Sequence, residues 1–322
     1  MRDLVSLGEL LVDFTPVGES AAGNPVFERN PGGGPANLTC AAARLGVNTA
    51  FIGQVGDDAF GRALKGILAD NRVDVGRLRL SSEYQTTLAF VHLSAEGERS
   101  FSFYRRQGAD TMLTPEEADF ALAADCRCFF YSSVLMTGGP SRQASFQLAS
   151  HAREKGAVTV YDPNLRLNLW DSAEEARTVI LSAMQWADIV KVSEEELVFL
   201  TGEPDLDKAA RQLKAAYGIK ALLATLGADG CFALVNGERI DAPGFAVKTV
   251  DTTAAGDSFT GGFLYGLLQG CTPIEERPAA QIRDMLTFAN AVGALTTTRK
   301  GAISALPSYG EVLEFLQEHG HA

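Results

Sequence analysis

Hydrophobic positions along this 322-residue chain gather into short runs, separated by longer stretches of helical period. Leu4 to Leu11, broken by Gly8 and Glu9, predicts a buried first strand with Asp13 just beyond its end, and Val47 to Val55 predicts a second. Thr86 to Leu93 and Arg99 to Tyr104 predict two strands around the turn Ser94 to Gly97. Thr15 to Arg29 is polar and glycine-bearing and fits loop or short strands outside the main core. From residue 128 onward the order becomes regular. Strands at Cys128 to Ser132, Val158 to Tyr161, Ile189 to Val192 and Ala221 to Thr225 alternate with helical patterns near Gln143–Lys155, Ala173–Ala183, Glu194–Leu200 and Lys208–Tyr217. That alternation predicts an α/β fold with a mostly parallel sheet covered on both faces. Phe245 to Val250 alternates like a further strand, and Phe259 to Gly270 reads as an apolar, small-residue helix.

Glycine and proline punctuate two of these elements. Gly32-Gly-Gly-Pro-Ala-Asn37 precedes a helix over Leu38 to Leu45, with Pro35 suited to its first turn and Gly46 to its stop. Gly56 to Gly61 opens a helix over Arg62 to Asn71. Net charge is −12, which excludes nucleic-acid and anionic-membrane partners, since an acidic surface repels both. The five cysteines are odd in number and scattered, which fits reduced, mostly buried thiols in the cytoplasm. Acids inside the opening apolar run and the lack of a cleavage-site pattern predict no signal peptide. No apolar run is long enough to span a bilayer. His319 and His321 read as a solvated tail.

Ligands of parallel sheets sit beyond the carboxyl ends of the strands, and Asp13, Asp162, Ser193, Gly227 and Asp251 all follow predicted strands. The densest chemistry is Val250 to Gly262, VDTTAAGDSFTGG. Ala254, Ala255 and Gly256 let backbone N–H groups approach a bound group, at a helix start that attracts anions. Asp257 stands there, and the helix-terminal N–H groups should keep its carboxylate ionised. Such an acid is also a common N-cap, so these residues alone leave base and cap both open. Gly32 to Gly34 with Asn37 reads equally as a polyol cradle or a plain loop. Asp13 grips two sugar hydroxyls or merely ends a strand. Asp162-Pro-Asn-Leu-Arg166 is a binding turn or a structural Asp–Arg pair. Thr225 to Gly230 admits a nucleotide or simply turns. Glu194 to Glu196 is a solvated helix start or holds water around magnesium. No Walker-type loop and no G-x-G-x-x-G are present, which removes direct evidence for a dinucleotide enzyme.

Taken together, Gly32 to Asn37 with Ala41-Ala-Ala-Arg-Leu-Gly46, Gly53-Gln-Val-Gly-Asp-Asp-Ala-Phe-Gly61, and Asp251-Thr-Thr-Ala-Ala-Gly-Asp257-Ser-Phe resemble the two signatures of the PfkB (ribokinase-like) carbohydrate kinases. The resemblance runs over nearly the whole chain. It implies a Rossmann-like ribokinase fold: a large α/β domain (1–12, 31–84 and 107–322) and a discontinuous β lid (13–30 and 85–106). It also implies an ATP-dependent sugar kinase, with Asp257 as base and the N–H groups of Ala254, Ala255, Gly256 and Asp257 as anion hole. Asp13, Gly33 and Asn37 match sugar-binding positions, and Ser193, Thr225, Gly227 and Asn290 nucleotide-binding ones. Glu196 matches a magnesium-water position, while Asp251, Thr253 and Gly301 resemble a monovalent-cation site for K⁺.

Three departures stand out. Ala254 replaces the usual glycine and disfavours positive φ; Ser193 replaces the asparagine of N-x-x-E; Ala305 stands where some relatives carry a hydroxyl near the cation. Within the family, Asp162 to Arg166 with Leu169-Trp170, Lys191 to Glu196, and Phe103-Tyr-Arg105 with Gly108-Ala-Asp110 look most like fructokinases. Arg105 and Arg166 are then contacts to the sugar or its phosphate. The implied reaction is phosphorylation of a ketohexose, fructose to fructose 6-phosphate, with ATP and Mg²⁺. Kinases of 2-keto-3-deoxygluconate or related keto acids and ribokinase-type kinases share parts of the pattern. A non-catalytic sugar-binding regulator and an NAD-dependent dehydrogenase are the rivals outside the class. The lid edge is open to a homodimer, which leaves the oligomeric state unspecified.

Overall fold

The computed structural model describes residues 1–93 and 99–321, so the turn Ser94 to Gly97 lies outside the described residues. Its strands are β1 (Arg2–Leu7), β2 (Leu11–Glu19), β3 (Pro25–Gly32), β4 (Thr49–Gly56), β5 (Leu78–Ser81), β6 (Leu88–Leu93) and β7 (Arg99–Tyr104). Then follow β8 (Cys126–Ser132), β9 (Val158–Asp162), β10 (Ile189–Ser193), β11 (Ala221–Thr225), β12 (Gly230–Val235) and β13 (Glu238–Pro243). The helices are α1 (Gly34–Arg44), α2 (Ala59–Asp70), α3 (Phe120–Ala124), α4 (Ser141–Glu154) and α5 (Ala173–Ala183). After them come α6 (Glu194–Thr201), α7 (Leu206–Tyr217), α8 (Ala255–Leu268), α9 (Ala279–Thr297) and α10 (Tyr309–Glu318).

Among the described residues, nine strands form one sheet in the order β13-β12-β11-β10-β9-β8-β1-β4-β5, parallel except where β12 and β13 join. The expected ribokinase-like α/β architecture is therefore present. Successive residues of the parallel strands bury on opposite faces, which is why these strands are apolar throughout. On one face Val5, Phe129, Tyr131 and Val190 pack under α4 to α7. On the other, Leu4, Phe130, Val160 and Ile189 pack under α1, α8 and α9. A separate four-stranded sheet has the order β3-β2-β6-β7, and the polar stretch Thr15 to Arg29 supplies most of its first hairpin.

Three expectations on element boundaries are corrected. The run Leu4 to Leu11 is not one strand: β1 ends at Leu7, and Leu11 already belongs to the second sheet. A side chain at position 8 would collide with the Pro35 ring, so the chain passes there as glycine and turns toward α1. Phe245 to Val250 forms no strand. The carbonyls of Ala242 and Pro243, at the end of β13, are taken by the Asn290 side-chain amide instead, and among the described residues no neighbouring strand continues the ladder. Finally, α8 begins at Ala255 rather than Phe259, which puts Asp257 inside its first turn and not at the N-cap.

Candidate active site

The two functional helices are brought together by small residues. A Cβ on Gly261 of α8 would lie 2.8 Å from the Ala41 Cβ of α1, so the helices meet almost backbone to backbone. Asn37, in the first turn of α1, therefore reaches Asp257, in the first turn of α8, and its Nδ2 donates to Asp257 Oδ2 at 2.9 Å. Gly33 caps α1 with φ 117°, a conformation that glycine alone adopts without strain. A Cβ on Gly34 would come within 3.1 Å of Asp257 Oδ1, so glycine there keeps the carboxylate accessible.

Around Asp257 lies a cavity of about 360 Å³ whose lining includes Glu9, Asp13, Gly33, Asn37, Arg166, Lys191, Ser193 and Glu196. A second cavity, of about 510 Å³, is lined by Thr225, Gly227 and Asn290 together with Phe245, Val247 and Phe259. Thr252, Ala255 and Gly256 line both. The two spaces thus meet at the start of α8. There the N–H groups of Gly256 and Asp257 have no partner among the described residues, as expected for a helix beginning without a side-chain cap. Ala254 carries the turn in the left-handed region, φ 61° and ψ 10°.

Charge in this site is balanced in the dry. Lys191 Nζ is 3.1 Å from Asp162 Oδ2, with both side chains buried. A Cβ on Gly256 would sit 3.3 Å from the same ammonium, which places that positive charge beside the free N–H groups. Burial works against the Lys191 charge, but Asp162, Glu196 and Asp257 more than offset it, and its pKa is raised. Glu196 and Ser193 close a capping box on α6, and Glu196 Oε1 also accepts from Leu165 N–H at 2.7 Å. Burial pushes the carboxyls of Asp257, Asp162 and Glu196 upward. For Asp257, desolvation outweighs the Asn37 hydrogen bond and the nearby Arg166 and Lys191 charges, so its pKa lies above the ordinary carboxylate value and not below it. Asp13 is pushed up to about 6 by burial, against the pull of Arg166.

Other expected residues fall in different places. Asp251 Oδ1 accepts from Thr253 N–H at 3.0 Å, and Oδ2 from Gly301 N–H at 3.1 Å, beside a third cavity of about 280 Å³ that Asp13 also lines. Among the described residues, no group of three or more His, Cys, Asp or Glu is arranged to hold a metal ion. Arg105 does not line the Asp257 cavity. Its guanidinium is spent on Asp110 Oδ2 at 2.8 Å, Thr137 Oγ1 at 2.6 Å and the Val134 carbonyl at 2.9 Å. In this structure it ties the end of β7 to the loop after β8, with Asp110 within reach in the following turn.

Comparison with known proteins identifies the family. Residues 1–308 match the model of the pfkB family carbohydrate kinases. Fructokinase-2 of Solanum lycopersicum is 45% identical over 316 residues, covering 98% of this chain and 96% of the relative. The chain belongs to the pfkB family. It is accordingly a carbohydrate kinase. Among solved structures, an ATP-bound fructokinase from Xylella fastidiosa has a TM-score of 0.92 at 33% identity, with 100% of both chains covered. A fructokinase double mutant from Vibrio cholerae O395, in fructose-, ADP- and potassium-bound form, has a TM-score of 0.87 at 35% identity over 98% of each chain.

This pfkB kinase also has site residues that sequence reasoning left without a role. Glu9 is almost fully buried, and its Oε1 accepts from Gly34 N–H at 2.8 Å, fixing the loop that carries Gly33. The signal for it was an acid inside an apolar run. Lys191 likewise was the one cation in the apolar strand Ile189 to Val192. Burial raises the Glu9 carboxyl from 4.5 to about 7. Between those values the folded chain keeps a proton that the unfolded chain has released, so stability falls as pH rises through that window. Relative to Glu9→Gln, the wild type should lose roughly 3 kcal/mol between pH 4.5 and 7.5, at about 1.4 kcal/mol per unit. Denaturant unfolding at the two pH values checks this, and a constant gap would contradict it. Ala254→Gly should gain about 0.5–1 kcal/mol, because glycine relieves the left-handed strain; an unmoved urea midpoint would show that no strain is stored there.

Proposed function

We propose that this kinase transfers the γ-phosphoryl group of ATP to the 6-hydroxyl of fructose. The observation that carries the reading is the position of Asp257: it borders the 360 Å³ cavity at the point where that cavity meets the 510 Å³ one, beside two unpartnered N–H groups. The sugar occupies the first space. Asp13, Gly33, Asn37 and Arg166 hold its hydroxyls, and the buried Asn37 Oδ1, which has no partner of its own, accepts one of them. ATP occupies the second space, against Thr225, Gly227 and the wall that Asn290 supports.

The chemistry follows from the groups present. Asp257 takes the proton from the attacking hydroxyl; its raised pKa makes it a better proton acceptor at neutral pH than an ordinary carboxylate. The hydroxyl oxygen bonds to the γ-phosphorus as the bond to the ADP oxygen breaks, in line. The N–H groups of Gly256 and Asp257 and the Lys191 ammonium receive the charge on the equatorial oxygens. The proton then leaves Asp257 for solvent after the products depart.

Glu196 and Ser193 suit a magnesium ion held mainly through water and nucleotide phosphates, since both Glu196 oxygens already accept backbone N–H groups and keep one lone pair each. When bound, that ion neutralises phosphate charge. Asp251, Thr253 and the Gly301 turn suit a monovalent cation such as K⁺, a use supported by the potassium in the Vibrio cholerae relative. The small sheet (13–30 and 85–106) acts as a lid that excludes water from the cleft, and its free edge is the surface for a homodimer. Among the described residues no helix is long and apolar enough to cross a membrane, and the free thiols fit a cytoplasmic setting.

Asp257→Asn should lower kcat by about 10²–10⁴ while KM for both substrates stays within a few-fold; near wild-type turnover would remove Asp257 from the role of base. In a coupled ADP-release assay over fructose, ribose, 2-keto-3-deoxygluconate and nucleosides, fructose should give the highest kcat/KM. A tenfold or greater preference for the keto acid would replace fructose as the substrate.

A further inference from the structure

A five-residue segment that supplies four residues of the 510 Å³ cavity's border is held in an unusual way. Gly244 N–H donates to Asp229 O at 3.2 Å, and Val250 N–H donates to Thr297 O at 2.8 Å. Between these anchors, Phe245 to Thr249 make no hydrogen bond to any described residue, although Phe245, Ala246, Val247 and Thr249 all line the cavity. Their backbone N–H and C=O groups therefore remain available to a ligand. What ties the segment down is the ring of Phe245. It lies 5.1 Å from the ring of Phe315, 5.4 Å from His319 and 5.6 Å from His321, each close to edge-on.

The two histidines are exposed, as a solvated tail would be, yet they are seated and not free. His319 Nδ1 lies 2.8 Å from the Phe315 carbonyl, the ring lies tilted against Phe315 with centroids 4.2 Å apart, and His321 N–H donates to Leu316 O at 2.9 Å. The end of α10 thus forms an aromatic bracket around one side chain of the cavity wall. Neither Phe245 nor any residue of the bracket lines the Asp257 cavity.

We propose that Phe315, His319 and His321 are positioning residues for the nucleotide base. By holding Phe245 they fix the 245–249 backbone, whose unpaired N–H and C=O groups then read the edge of the purine. Because the wall offers few polar side chains, discrimination between adenine and guanine depends on where that backbone lies. The inference rests on the nucleotide reading of the 510 Å³ cavity.

Steady-state kinetics of full-length His319→Ala and Phe315→Ala test it, with His319→Phe as the conservative variant. KM for ATP should rise about five- to twentyfold, and the ATP-to-GTP ratio of kcat/KM should fall by a similar factor. KM for fructose and kcat should stay within twofold, and His319→Phe should restore the wild-type values. An unchanged KM for ATP in both alanine variants overturns the proposal. So does a parallel change in kcat, both KM values and melting temperature, which would mark the bracket as general scaffolding. Photolabelling of the wild type with 8-azido-ATP separates the two layers. Label on the 244–250 peptide with no kinetic effect sinks only the bracket; label elsewhere sinks the assignment of the cavity itself.

Discussion

The hydrogen bond between Asn37 and Asp257 joins residues 220 positions apart, and the site depends on the helix contact that makes it possible. Gly261 against Ala41 removes the side-chain bulk that normally keeps helix axes 8–10 Å apart. Lengthening either side chain would separate the first turn of α1 from that of α8, and with it Asn37 from Asp257. The rest of the cleft adapts to this contact. Gly34 leaves room in front of the carboxylate, and Glu9 pins Gly34 from behind.

Two opposed influences act on Asp257. Its position at the start of α8 favours negative charge, whereas its burial disfavours it, and burial prevails. Paired charges around it keep the whole cluster tolerable: Lys191 and Asp162 neutralise one another a short distance away. The turn that exposes the N–H groups forces Ala254 into a left-handed conformation, a modest strain at the place where the backbone must approach a ligand.

Much of this was legible in the residues. The parallel sheet showed itself because its strands are buried on both faces and read as apolar runs. The start of α8 showed itself through the resemblance of Asp251 to Phe259 to a family signature, since small residues before an acid are by themselves equally an N-cap. What escaped depends on contacts that only the fold creates. Lys191 and Asp162 meet because β9 and β10 are neighbours in register, Val190 beside Tyr161, and nothing local to either residue announces that pairing. That Asp110, Thr137 and Val134 surround the Arg105 guanidinium is likewise a tertiary fact. The alternation at Phe245 to Val250 has the period of a strand but no neighbour to pair with, and it is explained by one ring packing on α10.

The meeting of the two cavities at Thr252, Ala255 and Gly256 has a stereochemical consequence. In the proposed reaction acceptor and donor are present together, on opposite sides of the phosphorus, and Gly256 brings only backbone to the junction. On that proposal a ternary complex is obligatory, the kinetics are sequential rather than ping-pong, and a phosphoryl group made chiral with oxygen isotopes emerges with inverted handedness.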